Sequence, residues 1–168
     1  MEPIHALLTS MVEFEAGNPH QIQHSLKVYD FARMIAEGEA LDARTRLILE
    51  AAAIVHDVGI RIAREKYGRT DGPLQEKEGP APAREMLAAA GFDAELIDRV
   101  CFLVAHHHTI DQVDGLDYRI LLEADLLVNL FEGGVSKEAV LRGIEQVFRT
   151  KTGTWLCKTM FGMGKGES

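Results

Sequence analysis

The chain has 168 residues, 46% of them hydrophobic and 26% charged, with a net charge of −8. That length and mix fit one soluble globular domain, and the acidic balance excludes a nucleic-acid polymer as main partner, because backbone binding needs a basic footprint. Glu2, Glu13 and Glu15 exclude a signal-peptide pattern, no apolar run approaches the roughly 20 residues of a membrane span, and two cysteines are too few for a disulfide framework, so a cytoplasmic location is the default.

In chain order the punctuation marks helices almost throughout. A first helix is expected over 3–16, closed by Gly17-Asn18. Pro19, at a favoured first position, opens a second that stops near Gly38 and carries Ile22, Leu26, Val28, Phe31 and Ile35. Asp42 can cap a third that runs through Leu49 and the Ala51-Ala52-Ala53 run to about Val58. Residues 59–79, with Gly59, Gly68, Gly72, Pro73 and Gly79, are expected as a partly ordered functional loop. Pro80 and Pro82 begin a fourth helix ending at Gly91, and Asp93 caps a fifth that ends in His106-His107-His108. After a polar turn at 109–117, a sixth helix over about 118–131 is apolar on most sides and should be central. Ser136 can cap a seventh over 137–149, and a short eighth is placed around Trp155. With no alternating segment of strand length, the expectation is an all-α bundle of about seven to eight helices, one domain over 1–161, and a disordered tail at 162–168.

Charged and polar residues on apolar helix faces carry the functional signal. His24 shares a face with Val28, Phe31 and Ile35; His56 continues the face of Leu49, Ala52 and Ala53; Asp125 lies on the stripe of Tyr118, Leu121, Leu122, Val128 and Asn129. A buried ionised carboxylate is costly unless it is paired or bound to metal. Three helices that each point a candidate ligand inward are how bundles build metal sites. His56-Asp57 at a helix end can both reach one ion. Two imidazoles and two carboxylates suit a divalent transition metal (Fe, Mn, Ni, Co or Zn) better than calcium.

His24, His56-Asp57 within AAAIVHDVGI, and Asp125 within LLEADLLVNL form a pattern that resembles the HD superfamily, over roughly residues 19–131. The resemblance implies an all-α fold and a metal-dependent phosphohydrolase of the small stand-alone bacterial type, acting on a phosphate ester, nucleotides among them. His24, His56, Asp57 and Asp125 would then be the metal ligands, with His56 and Asp57 central to catalysis. Some HD proteins bind a second ion through extra ligands between the His-Asp pair and the last aspartate. Glu78 stands where many relatives have histidine, and the histidine triplet stands where relatives place one or two. Helix spacing puts His107 on the Leu103/Val104 face, with His106 or His108 as its partner. One or two ions are therefore expected, the second held by Asp57, Glu78, His107 and His106.

Relatives often follow the pair with glycine and lysine. Here the run is Gly59-Ile60-Arg61, which displaces the positive charge by one. Lys27, Arg61 and Arg69 are the candidates for holding the phosphate of a small substrate. The resemblance leaves two alternatives open: a di-iron oxygenase, and a non-enzymatic metal-binding signalling module. No motif names the substrate or the oligomeric state.

Overall fold

The structure, a computed structural model, describes residues 2–163. Among these residues there are ten α-helices and no strand: α1 (Pro3–Phe14), α2 (Pro19–Gly38), α3 (Ala43–Val55), α4 (Gly59–Tyr67), α5 (Gly72–Glu78), α6 (Pro80–Ala89), α7 (Ala94–Val104), α8 (Leu116–Glu132), α9 (Lys137–Gln146) and α10 (Lys151–Met160). Most of the expected tail, from residue 164 on, lies outside the described residues. No described helix is long and apolar enough to cross a membrane.

The helix starts follow from short polar side chains that accept the first orphan N–H groups. Asn18 accepts from Gln21 N, Asp42 from Arg44 N and Thr45 N, Asp93 from Leu96 N, Ser136 from Ala139 N, and Thr150 from Gly153 N. The centre is α3. Its Ala51, Ala52, Ala53, Ile54 and Val55 have no exposed surface, so it is surrounded on every side. It packs against α2, α7 and α8, and α2 also packs against α8. Small alanines let these neighbours approach closely, and the start of α2, the end of α3 and the C-terminal half of α8 converge where the polar residues sit.

The stretch 59–79 corrects the expected loop: it is a pair of short helices packed on each other, α4 and α5. Gly59 and Gly72 are the first residues of these helices, and Gly68 closes α4 in the left-handed conformation (φ 67°). These glycines delimit helices rather than interrupt them. Gly59 has a second role: a Cβ there would lie 2.5 Å from the Gln75 carbonyl oxygen, so any side chain would push α5 away. The third helix also ends earlier than expected, at Val55, and His56, Asp57 and Val58 form the turn into α4. The eighth expected helix is a full ten-residue α10. It is anchored by Glu123 of α8, whose buried carboxylate accepts from Arg149 N (2.7 Å), Thr150 N (3.0 Å) and Thr150 Oγ1 (2.5 Å).

Candidate metal centre

His24 reaches the centre from α2, His56 and Asp57 from the turn after α3, and Asp125 from the middle of α8. All four are buried. His24 Nε2 lies 3.1 Å from Asp125 Oδ1, 3.2 Å from Asp57 Oδ2 and 3.3 Å from His56 Nε2. His56 Nε2 lies 3.4 Å from both Asp57 Oδ2 and Asp125 Oδ1.

The other ring nitrogens determine what these atoms are. His56 Nδ1 is 2.8 Å from the Ala53 carbonyl, and His107 Nδ1 is 2.7 Å from the Val104 carbonyl. A carbonyl only accepts, so each Nδ1 carries the proton and each Nε2 presents a bare lone pair. His24 Nδ1 faces the Glu132 carboxylate at 2.9 Å, which imposes the same tautomer. His107 Nε2 is fully enclosed, has no hydrogen-bond partner, and stands 3.3 Å from Asp57 Oδ1. The centre is therefore a set of acceptors aimed at one another. Such a set repels itself unless a cation lies among them.

In the metal-free protein protons take that place. Burial opposes charge on His24, but hydrogen bonds to Asp125 and Asp57 outweigh it and push the imidazole up to about 9. Burial likewise opposes charge on His56, and the Asp57 and Asp125 carboxylates hold it well above the ordinary histidine value. Asp57, despite its burial, is held well below the carboxylate range by the His56 charge and by the close approach of His107 and His24. Asp125, also against its burial, is held low by His24 and His56.

Two donor groups of metal-binding type result: His24, His56, Asp57 and Asp125, and beside them Asp57, His107 and His108. The first brings together all four residues expected for one ion. The second differs from the expected set of Asp57, Glu78, His107 and His106. Glu78 is not drawn in: at the end of α5 its carboxylate accepts from Lys66 Nζ (2.7 Å) and Tyr67 Oη (2.8 Å) of α4. His106 turns away, its Nδ1 on the Phe102 carbonyl (2.7 Å) and its ring stacked on Phe102. His108 joins instead, with Nε2 2.7 Å from Gln75 Oε1. Of the expected phosphate contacts, Lys27 Nζ is 2.8 Å from Glu132 Oε1 and Arg69 Nε is 3.1 Å from Asp71. Arg61 pairs with Glu65 at 3.1 Å and donates to the Phe14 carbonyl.

A family model for the HD domain matches residues 22–152. The chain belongs to the HD-domain family. The span of the match includes all four residues of the first donor group. No curated protein matches this HD domain. Among solved structures, one from an uncultured Thermotogales bacterium, described as a predicted HD superfamily hydrolase, is similar in fold. It shares 23% identity over 94% of this chain and 84% of its own, with a TM-score of 0.66.

Three residues of this HD domain that support the centre were not singled out from the sequence. Gln21 Nε2 donates to Asp57 Oδ2 (3.0 Å), Asn129 Nδ2 donates to Asp125 Oδ1 (3.0 Å), and Glu132 receives His24 Nδ1. A signal for each existed. Gln21 precedes His24 by three residues, and Asn129 and Glu132 follow Asp125 at steps of four and three, so each shares a helix face with a ligand.

Proposed function

We propose that this HD domain is a metal-dependent phosphohydrolase that cleaves a phosphate ester with water, and that His24, His56, Asp57 and Asp125 hold its ion. The observation that carries the reading is the convergence of bare acceptors from three helices, with each imidazole proton already committed on the far side of its ring. The mixed nitrogen and oxygen donors favour Mn, Fe, Co, Ni or Zn. Such an ion, when bound, supplies Lewis acidity and makes bound water a nucleophile near neutral pH.

The chain's own contribution is placement and protonation. The Ala53 carbonyl and Glu132 keep the protons of His56 and His24 on Nδ1. Gln21 and Asn129 fix the carboxylates of Asp57 and Asp125. Burial of all four donors keeps most bulk water from them. Asp57 faces both donor groups, Oδ2 toward His24 and His56 and Oδ1 toward His107. That supports a second ion held by Asp57, His107 and His108. It also keeps a di-iron oxygenase as the rival reading, which would show an iron absorption band that responds to oxygen.

Protein purified without chelator should carry at least one divalent transition metal and hydrolyse members of a phosphate-ester panel. Asp57→Ala should lose both, and a circular dichroism spectrum and melting curve of the variant separate that loss from unfolding, since the change also removes a partner of His24, His56 and Gln21. A folded protein that takes up no divalent ion on titration would sink the proposal. Joint replacement of His107 and His108 by alanine should lower the stoichiometry from two to one; a value that stays at two would place the second ion elsewhere, and a value of one in the unaltered protein would leave only one site.

A further inference from the structure

A cavity of about 180 Å³ opens beside the centre, lined by His107, His108, Asp125 and Asn129 on one side and by Ile110, Leu122, Leu126 and Val147 on the other. It touches both donor groups, so a phosphoryl group bound there would extend its alcohol portion along the apolar wall. No lysine or arginine lines this wall. The arginines near Val147 donate to backbone carbonyls. Arg119 Nη1 donates to the Val147 carbonyl (2.9 Å), and Arg149 donates to the carbonyls of Glu145, Gln146 and Phe148. Lys27 is held by Glu132. Next to Ile110, Glu76 accepts from His108 N and Thr109 Oγ1, which places a carboxylate near the rim.

We infer that the substrate is the monoester of a compact, uncharged, largely apolar alcohol whose organic group fills this cavity against Ile110, Leu122, Leu126 and Val147. The inference rests on the phosphohydrolase reading for the phosphoryl end only. The size of this recess, which is open on one side, argues for one ring or a short branched chain against its wall, since an apolar cavity of about 150 Å³ takes benzene. The charge argues against a second phosphate or carboxylate, which would meet no cation on the wall and would lie near Glu76. Asn129 adds a point of specificity. Its amide nitrogen is committed to Asp125, and its amide oxygen, with no partner among the described residues, is left to accept from a hydroxyl or N–H on the organic group.

The test uses the metal-loaded full chain and non-hydrolysable phosphonates, with binding measured by calorimetry. Phenylphosphonate should bind at least about tenfold more tightly than methylphosphonate, the gain from removing roughly 55 Å² of apolar surface from water. 3-Phosphonopropionate, which carries a second anion, should bind no better than methylphosphonate. Ile110→Lys, at a position 47% exposed and outside every helix, should weaken phenylphosphonate and strengthen 3-phosphonopropionate. Equal binding of all three, tighter binding of the dianion to the unaltered protein, or no phosphonate binding would overturn the inference. The two readings fail separately. If phenylphosphonate shows the preference while no phosphate ester is ever hydrolysed, the cavity assignment stands and the hydrolase reading falls.

Discussion

Glu132→Ala should lower metal affinity about 10- to 100-fold while leaving the metal-free fold close to intact. Glu132 sits in the last turn of α8, where the helix dipole disfavours a carboxylate. Its position is explained instead by what it touches: His24 Nδ1 at 2.9 Å through Oε2 and Lys27 Nζ at 2.8 Å through Oε1. Burial opposes its ionised form, yet Lys27 and His24 hold its carboxyl below the ordinary glutamate value, so the bond to His24 is charge-assisted. Such bonds contribute roughly 1.5–3 kcal/mol net, and at about 1.4 kcal/mol per tenfold this corresponds to one to two decades of affinity if all of it acts on the ligand. The range agrees with the usual effect of removing a partner behind a metal-binding histidine. Part of it should also appear as lost stability without metal, because the buried His24 Nδ1–H loses its acceptor, whereas Lys27, more than a third exposed, returns to water. Glu132→Gln keeps an acceptor without the charge and should fall between. The assay is titration with Co²⁺ or Zn²⁺ against a competing chelator at fixed pH, beside thermal melting of the metal-free variants. An affinity within twofold of the unaltered protein in Glu132→Ala would refute the reasoning, as would a collapse of metal-free melting large enough to account for the loss.

Two further outcomes follow from other parts of the molecule. Glu123→Ala leaves the buried N–H and hydroxyl of Thr150 and the part-buried N–H of Arg149 unpaired, so it should cost about 3 kcal/mol and lower the melting temperature by roughly 6–12 °C, read by denaturant and thermal unfolding. In chelator, the part of stability that comes from protonated His24 is full below its ordinary 6.5 and is lost as pH rises through about 9. Metal binding needs the neutral ring, so the melting gap between metal-loaded and chelated protein should widen from pH 6.5 to 9, and a constant gap would contradict the ligand assignment.

The first donor group was legible because a charge on an apolar helix face has few explanations. His24, His56 and Asp125 break otherwise hydrophobic stripes, and Asp125 does so in a helix with hardly a polar side. Its supporting residues were not legible for the same reason in reverse. Gln21, Asn129 and Glu132 lie toward helix ends, where polar residues are unremarkable, and their partners are 36, 4 and 108 residues away in the chain. The α4–α5 pair was obscured by its glycines, since one that begins or caps a helix reads the same in a sequence as one that breaks it. Gln75, which faces the histidine triplet, and Glu78, which does not, are three residues apart, about 4.5 Å along α5. Which of the two does so is set by how closely Gly59 lets α5 approach α4, a contact between elements that residue spacing along one element does not report.

His24, His56 and His107 are alike in tautomer but differ in what fixes it. His56 and His107 give their Nδ1 proton to a carbonyl three residues earlier, a bond that forms with the local turn. His24 gives its proton to a carboxylate from α8, so its orientation exists only when α2 and α8 are docked. Asp125, from that same helix, approaches His24 Nε2 from the opposite side of the ring. The imidazole is therefore gripped by α8 at both nitrogens, which makes the α2–α8 contact itself part of the metal site. A ligand that binds only the docked state stabilises it in proportion to the logarithm of its concentration over its dissociation constant. An ion held here would thus tighten the packing of two helices that already form a large share of the core. Conversely, a variant that loosens that packing far from any ligand would weaken metal binding through His24 before it disturbed His56 or His107.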